Sequence, residues 1–245
     1  QMGSDTEMFK VSFNRPNIFW KVIQKSTEND SKGIPQYIRS IAEYIRSKWN
    51  NCSGIIYCLT RDEAEETAMY LKDLFGISVC HYHAGMTSKQ RNLVQLAWKG
   101  GSIRVICATV AFGMGVDNAS VRFVIHQSIP KSVEGYYQEA GRAGRDGDPA
   151  EAILMYHPRD VKRVVSLIYS GKCKKQQREH QIALLGLMKE YCEDRCQCRR
   201  TVILKYFGES FSRNACNGTC DNCKRNNYQK ARPAAKQKKL GFVCL

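Results

Sequence analysis

Along roughly the first 160 positions the apolar residues fall into two alternating patterns. Short, nearly continuous apolar runs occupy 17–23, 54–59, 77–81, 103–108, 121–126 and 152–156. Such runs suit parallel strands covered on both faces. Between them apolar residues recur at helical spacing: Ile34, Ile38, Ile41, Ala42 and Ile45, then Ala64, Ala68, Leu71 and Leu74. The alternation predicts an α/β lobe on a mostly parallel sheet. Thr60-Arg61-Asp62-Glu63 and Thr87-Ser88-Lys89-Gln90 read as capping boxes that start helices. Past Pro158 the strand signals stop. Helical patterns cover 161–168 and 182–191, and a Cys-rich stretch with turn-forming Gly and Asn follows.

This divides the chain into a leading segment 1–12, an α/β lobe 13–157, a small helical module 158–223 and a tail 224–245, expected to be flexible. Gln1-Met2-Gly3-Ser4 reads as an expression-tag remnant, and the chain as a piece of a longer protein. Hydrophobic residues make up 43% of the 245, enough for a core and too many for a disordered chain. No run approaches the ~18 apolar residues of a membrane span, and no apolar leader is present, so an intracellular protein without a membrane partner is expected. The net charge is +15, with seven basic residues and no acid from Lys224 onward. A basic body with a basic tail points to a polyanionic partner, above all nucleic acid.

Six cysteines, Cys192, Cys196, Cys198, Cys216, Cys220 and Cys223, fall within 32 residues. In a reducing compartment such a cluster indicates metal before disulfides. Cys216, Cys220 and Cys223 form a tight three-thiol turn, with Asn217, Gly218, Asp221 and Asn222 as turn formers. Tetrahedral zinc needs a fourth ligand, and either Cys196 or Cys198 stands upstream. Two apart, they point to different sides of a helix and cannot easily both reach the metal. Four thiolates leave no open position, so the ion would be structural. Cys58 and Cys107, inside apolar runs, read instead as small buried hydrophobes.

In the run Gln138-Glu139-Ala140-Gly141-Arg142-Ala143-Gly144-Arg145-Asp146-Gly147, two arginines three apart stand in a glycine frame. Planar guanidinium groups suit phosphate oxygens, and glycines let the backbone come close to a ligand. A lone Gly-Arg pair would be an ordinary solvated loop; the ten-residue string is far more specific. In residues 105–117 a buried strand runs into Thr109, a Gly113-x-Gly115 turn and Asp117. Open α/β sheets bind ligands at the carboxyl ends of such strands. Asp62 and Glu63 resemble a metal site after a strand, but they fall in a capped first helical turn, where the dipole favours carboxylates. Thr60 and Arg61 are the better candidates for a nucleic-acid phosphate. His81 and His83 have no Cys or acid close by in sequence and read as strand-end residues. No phosphate-loop string Gly-x-x-x-x-Gly-Lys-Ser/Thr occurs in the chain; Gly171-Lys172-Cys173 is the nearest imitation.

Together these strings resemble the RecQ family of ATP-dependent DNA helicases, most closely its Bloom-syndrome type. Residues 54–59 with Thr60 and Arg61 are similar to helicase motif IV, 108–117 to motif V and 138–147 to motif VI. Residues 198–223, from Cys198-Arg199-Arg200 to Cys220-Asp221-Asn222-Cys223, are similar to the family's zinc-binding subdomain. The resemblance spans about residues 13–223. It implies a RecA-like lobe of the P-loop NTPase type followed by a helical zinc module, with the phosphate-loop lobe lying outside the chain. Arg145 would then be the arginine finger on ATP held by that lobe, Arg142 its companion, and Gln138, Gly115 and Asp117 part of the same nucleotide network. Thr60, Arg61 and Thr109 would touch single-stranded or partly duplex DNA. Cys198, Cys216, Cys220 and Cys223 would hold Zn²⁺, and ATP with Mg²⁺ would serve the complete enzyme. The implied activity is 3′-to-5′ unwinding in DNA repair, recombination or replication, in the nucleus of a eukaryote. A passive zinc-containing DNA-binding module is the alternative, but it has no use for paired arginines in a glycine frame. An RNA helicase of the DEAD-box kind is disfavoured by the cysteine knot.

Overall fold

The computed structural model describes residues 12–112 and 118–231. Gly115 and Asp117 lie outside the described residues. Six strands form one fully parallel sheet: β1 (Ile18–Gln24), β2 (Ser53–Tyr57), β3 (Val79–Tyr82), β4 (Val105–Ala108), β5 (Val121–His126) and β6 (Ala150–Tyr156). Their order across the sheet is β1-β6-β5-β2-β4-β3. Helices α1 (Gln36–Lys48), α2 (Arg61–Asp73), α3 (Ser88–Lys99) and α4 (Val133–Ala140) intervene. The helical module holds α5 (Pro158–Ser170), α6 (Lys175–Glu193), α7 (Arg199–Tyr206), a 3-10 turn (Arg213–Cys216) and α8 (Asp221–Ala231).

Each expected strand and helix is present, with ends shifted by a few residues. Alternation within the strands sorts side chains onto two faces. Ile55 and Tyr57 face one core with Trp20, Val124 and Tyr136; Ile56 and Cys58 face the other with Ile38, Ala64 and Leu71. Cys58 and Cys107 are both buried, as a strand interior requires. Gly54 admits Phe123 against its backbone: a Cβ there would fall 2.0 Å from the ring. Thr60 caps α2 by accepting from the Glu63 N–H at 3.2 Å, but the Glu63 carboxylate reaches the Leu59 N–H at 3.0 Å rather than that of Thr60. The box is therefore one residue wider than the motif suggests. The box at Thr87 and Gln90 closes in both directions.

One expectation changes. Helix α8 continues through Ala231, so the basic segment after Cys223 opens as helix and not as a flexible tail. The helical module packs into the core of the lobe. Its cysteines belong to the same buried cluster as Trp20 and Tyr136, and Trp20 forms a parallel bridge with Cys220.

Candidate functional site

The arginine-bearing run begins on α4 and ends in a turn before β6. Ser132 caps α4 by accepting from the Gly135 N–H at 3.0 Å. The helix stops at Ala140, and residues 141–149 form the turn. Gly144 makes that turn possible. Its φ is +56°, and a Cβ would sit 2.5 Å from Asn17 Nδ2 and 2.8 Å from the Asp148 carbonyl. The Gly144 N–H donates to the Val121 carbonyl at 2.8 Å, which pins the turn to the start of β5. Ala143 is fully buried, whereas Arg145 is exposed and Arg142 half-buried. Gln138, on the last turn of α4, is exposed and donates to Glu134 at 3.3 Å.

Arg142 reaches back to Tyr57 at the end of β2. Burial pushes the Tyr57 hydroxyl up, against the pull of the Arg142 guanidinium. That hydroxyl donates to the Phe112 carbonyl at 2.9 Å, immediately before the glycine segment at 113–117. His126 stacks on Tyr57 at 5.1 Å, meets the edge of Tyr136 at 5.0 Å and contacts Glu139 at 2.8 Å. Tyr57 and His126 thus form the floor beneath the arginines. Sequence reading missed both, because each looks like one more strand residue.

Thr60 and Thr109 emerge from neighbouring strands at the carboxyl edge of the sheet, beyond the paired Tyr57 and Ala108. The arginine turn is tied to the amino end of β5 through Gly144, while Arg142 reaches back to Tyr57, whose strand leads into Thr60. The Thr60 oxygen accepts the cap bond and keeps its O–H proton to donate. Arg61, in the first turn of α2, is exposed.

His81 and His83 stand at the end of β3, as expected, and tertiary packing adds an acid that the local sequence does not place beside them. The fold brings Glu65, on α2, against His83 at 2.7 Å, with His81 beside it. The Gly85 N–H donates to His83 Nδ1 at 3.2 Å, so the ring proton stands on Nε2 and points at the carboxylate. A ring in that tautomer holds Glu65 rather than a metal. Burial lowers the pKa of His81, so it adds no charge near neutral pH.

The cysteine knot brings Cys198, Cys216, Cys220 and Cys223 together, all buried, with their sulfurs within 4.8 Å of one another. Cys196 is not in this group. Cys198 stands at the N-terminal end of α7, and Cys220 and Cys223 bracket the start of α8. Asn217, with a left-handed φ of 50°, and Gly218, at 73°, fold the turn that brings Cys216 across. The Cys220 thiol donates to Cys198 at 3.9 Å, and this holds the Cys198 thiol below the usual thiol range. Four tetrahedral thiolates at about 2.3 Å from zinc stand about 3.8 Å apart, so the donor set fits that ion. Replacing Cys198 by Ser should therefore release zinc, whereas Cys196→Ser should retain it, by metal analysis of the purified variants.

Residues 36–147 match the helicase conserved C-terminal domain, and residues 158–224 match the RecQ zinc-binding domain. The chain belongs to the RecQ helicase family. It is 43% identical over 87% of its length to the ATP-dependent DNA helicase hus2/rqh1 of Schizosaccharomyces pombe. It is 40% identical over 89% of its length to the ATP-dependent helicase SGS1 of Saccharomyces cerevisiae. It spans only 15% and 14% of those two relatives. Among solved structures it resembles a DEAD box protein from Methanococcus jannaschii, with a TM-score of 0.50, 25% identity, 65% of this chain and 41% of that one. That likeness carries the RecA-like fold alone. The RecQ zinc-binding match sets this chain apart from a plain DEAD-box lobe. Among the described residues no helix is long and apolar enough to cross a membrane.

Proposed function

We propose that this RecQ chain is the second motor lobe and structural zinc module of an ATP-dependent 3′-to-5′ DNA helicase. The observation that carries the reading is the arginine turn: Gly144 and Ala143 are locked inward while Arg145 is exposed. In that role Arg145 lies on the γ-phosphate of ATP and neutralises charge that develops during its transfer to water. Arg142 and Gln138 keep the turn coupled to the nucleotide, with Gly115 and Asp117 serving the same contact. The phosphate loop and the Mg²⁺ ligands belong to a lobe outside this sequence. Thr60, Arg61 and Thr109 hold the DNA backbone at the carboxyl edge of the sheet, and cleft closure and reopening move the strand along. Zinc at Cys198, Cys216, Cys220 and Cys223 supplies a structural crosslink. The assigned work is DNA repair, recombination or replication in a nucleus.

The chain by itself should show no DNA-stimulated ATP hydrolysis. It has no phosphate-loop string, and so lacks the backbone cradle, the lysine and the Mg²⁺-binding hydroxyl. The full-length protein should hydrolyse ATP and displace a strand from a duplex with a 3′ overhang. Turnover by the purified chain, with contaminating ATPases excluded, would overturn the division of labour; a full-length protein inert on DNA would overturn the motor reading.

A further inference from the structure

Residues 13–18 form a strap between the two candidate sites. On one side the strap meets the zinc module. Arg200, two residues after Cys198, donates to Asn14 Oδ1 at 3.0 Å and to the carbonyls of Arg15 at 2.6 Å, Pro16 at 3.1 Å and Ile18 at 2.5 Å. Its Nε is held by the Thr219 hydroxyl at 2.9 Å, and that hydroxyl contacts Cys216 Sγ at 3.6 Å. Phe13 stacks on Phe207 at 4.8 Å.

On its other side the strap meets the arginine turn. Arg15 donates to the carbonyls of Gly141 at 3.0 Å, Ala143 at 2.9 Å and Gly144 at 2.8 Å. Asn17 Nδ2 donates to the carbonyls of Gly144 and Asp148, both at 2.8 Å. These acceptors bracket Arg142 and adjoin Arg145. One planar guanidinium therefore collects three carbonyls that follow the end of α4, where a cation also suits the helix dipole.

We propose that Arg15 is the positioning residue of the arginine turn, and that the zinc knot sets the position of Arg15 through Arg200. This rests on the reading of Arg145 as a finger. The path is short and nearly all polar: Cys198 fixes the start of α7, α7 presents Arg200, Arg200 grips the strap backbone, and Arg15 grips the turn. The zinc site would then act on ATP hydrolysis without contacting nucleotide or DNA. Lysine cannot replace Arg15, because a point donor cannot span three carbonyls.

Two measurements test this. In the full-length protein, Arg15→Lys should lower DNA-stimulated kcat by about 10- to 100-fold, the scale expected when a catalytic group moves by about 1 Å. KM for ATP and zinc content should be unchanged. In this chain, amide exchange at residues 141–147 should accelerate at least tenfold both in Arg15→Lys and on zinc removal by a chelator, while amides of β2 and β5 stay protected. If kcat in Arg15→Lys stays within twofold of wild type while Arg145→Ala is inactive, Arg15 has no positioning role and the finger assignment survives. If Arg145→Ala is itself active, the finger reading fails instead. If exchange at 141–147 ignores zinc removal, the link from the knot to the turn is wrong. Should Arg15→Lys fail to fold in the full-length protein, the chelator arm decides, since it needs no variant.

Discussion

Arg145→Ala in the full-length protein should nearly abolish DNA-stimulated ATP hydrolysis while leaving ATP affinity within a few fold. An arginine finger contributes ~10³–10⁵ in rate in GTPases, and at about 1.36 kcal/mol per decade this is roughly 4–7 kcal/mol of transition-state stabilisation. The effect should fall on kcat, because ground-state binding rests on the phosphate cradle of the other lobe. Arg145 is exposed, and the backbone of the turn is held through Gly144, Arg15 and Asn17. Lysine should be a poor substitute, since its point charge cannot reproduce the planar fork. Arg142→Ala should also damage hydrolysis, in part through Tyr57 and the Phe112 carbonyl. DNA affinity and its salt slope should not change in Arg145→Ala, because a residue that faces nucleotide releases no counterions from DNA. Retention of more than about a tenth of wild-type turnover, far above what loss of a finger leaves, would remove the assignment.

The second large effect is expected from Cys220→Ser. Structural zinc contributes ~10–16 kcal/mol of apparent binding free energy in small peptides, more than the net stability of many domains. The variant should lose its metal and unfold the chain from about Arg195 onward. The lobe should survive, because one of its two cores, built on Ile38, Ile56, Leu71 and Phe123, has no part in the knot. Metal analysis and limited proteolysis report the two halves separately. A wild-type protein without zinc but with α7 and α8 intact would sink the structural role. The damage should nevertheless cross into the lobe at one place. Cys220 bridges to Trp20, and the Thr219 carbonyl accepts from the Trp20 N–H at 3.3 Å, so β1 loses its outer partner.

Much of this molecule is written locally. Strand runs and helical spacings give the six strands and helices α1 and α2 of the lobe, because periods of 2 and 3.6 are properties of short windows. Helix starts at Thr60, Thr87 and Pro158 come from caps and proline, again within a few residues. The three cysteines from Cys216 to Cys223 declare a metal turn by spacing alone. The arginine string, with its glycines, identifies the family as soon as the cysteine knot stands beside it.

Tertiary structure decided the rest, for one physical reason: these contacts depend on strand order and docking, which no local period encodes. Spacing alone leaves Cys196 and Cys198 open; the family resemblance implies Cys198, and the docking of α7 is what brings it to the other three. Glu65 meets His83 only because α2 packs beside β3, 18 residues away in sequence. That Arg142 lies against Tyr57 while Gly144 is tied to the opposite end of β5 follows from β2 and β5 being neighbours in the sheet. The farthest case is Arg15, which reads as an ordinary charge before Pro16. It reaches the Gly141 carbonyl across 126 residues, because β1 pairs with β6 at the edge of the sheet and carries the strap to the turn. Sequence thus supplied the parts and their chemistry, and packing alone determined which of them touch.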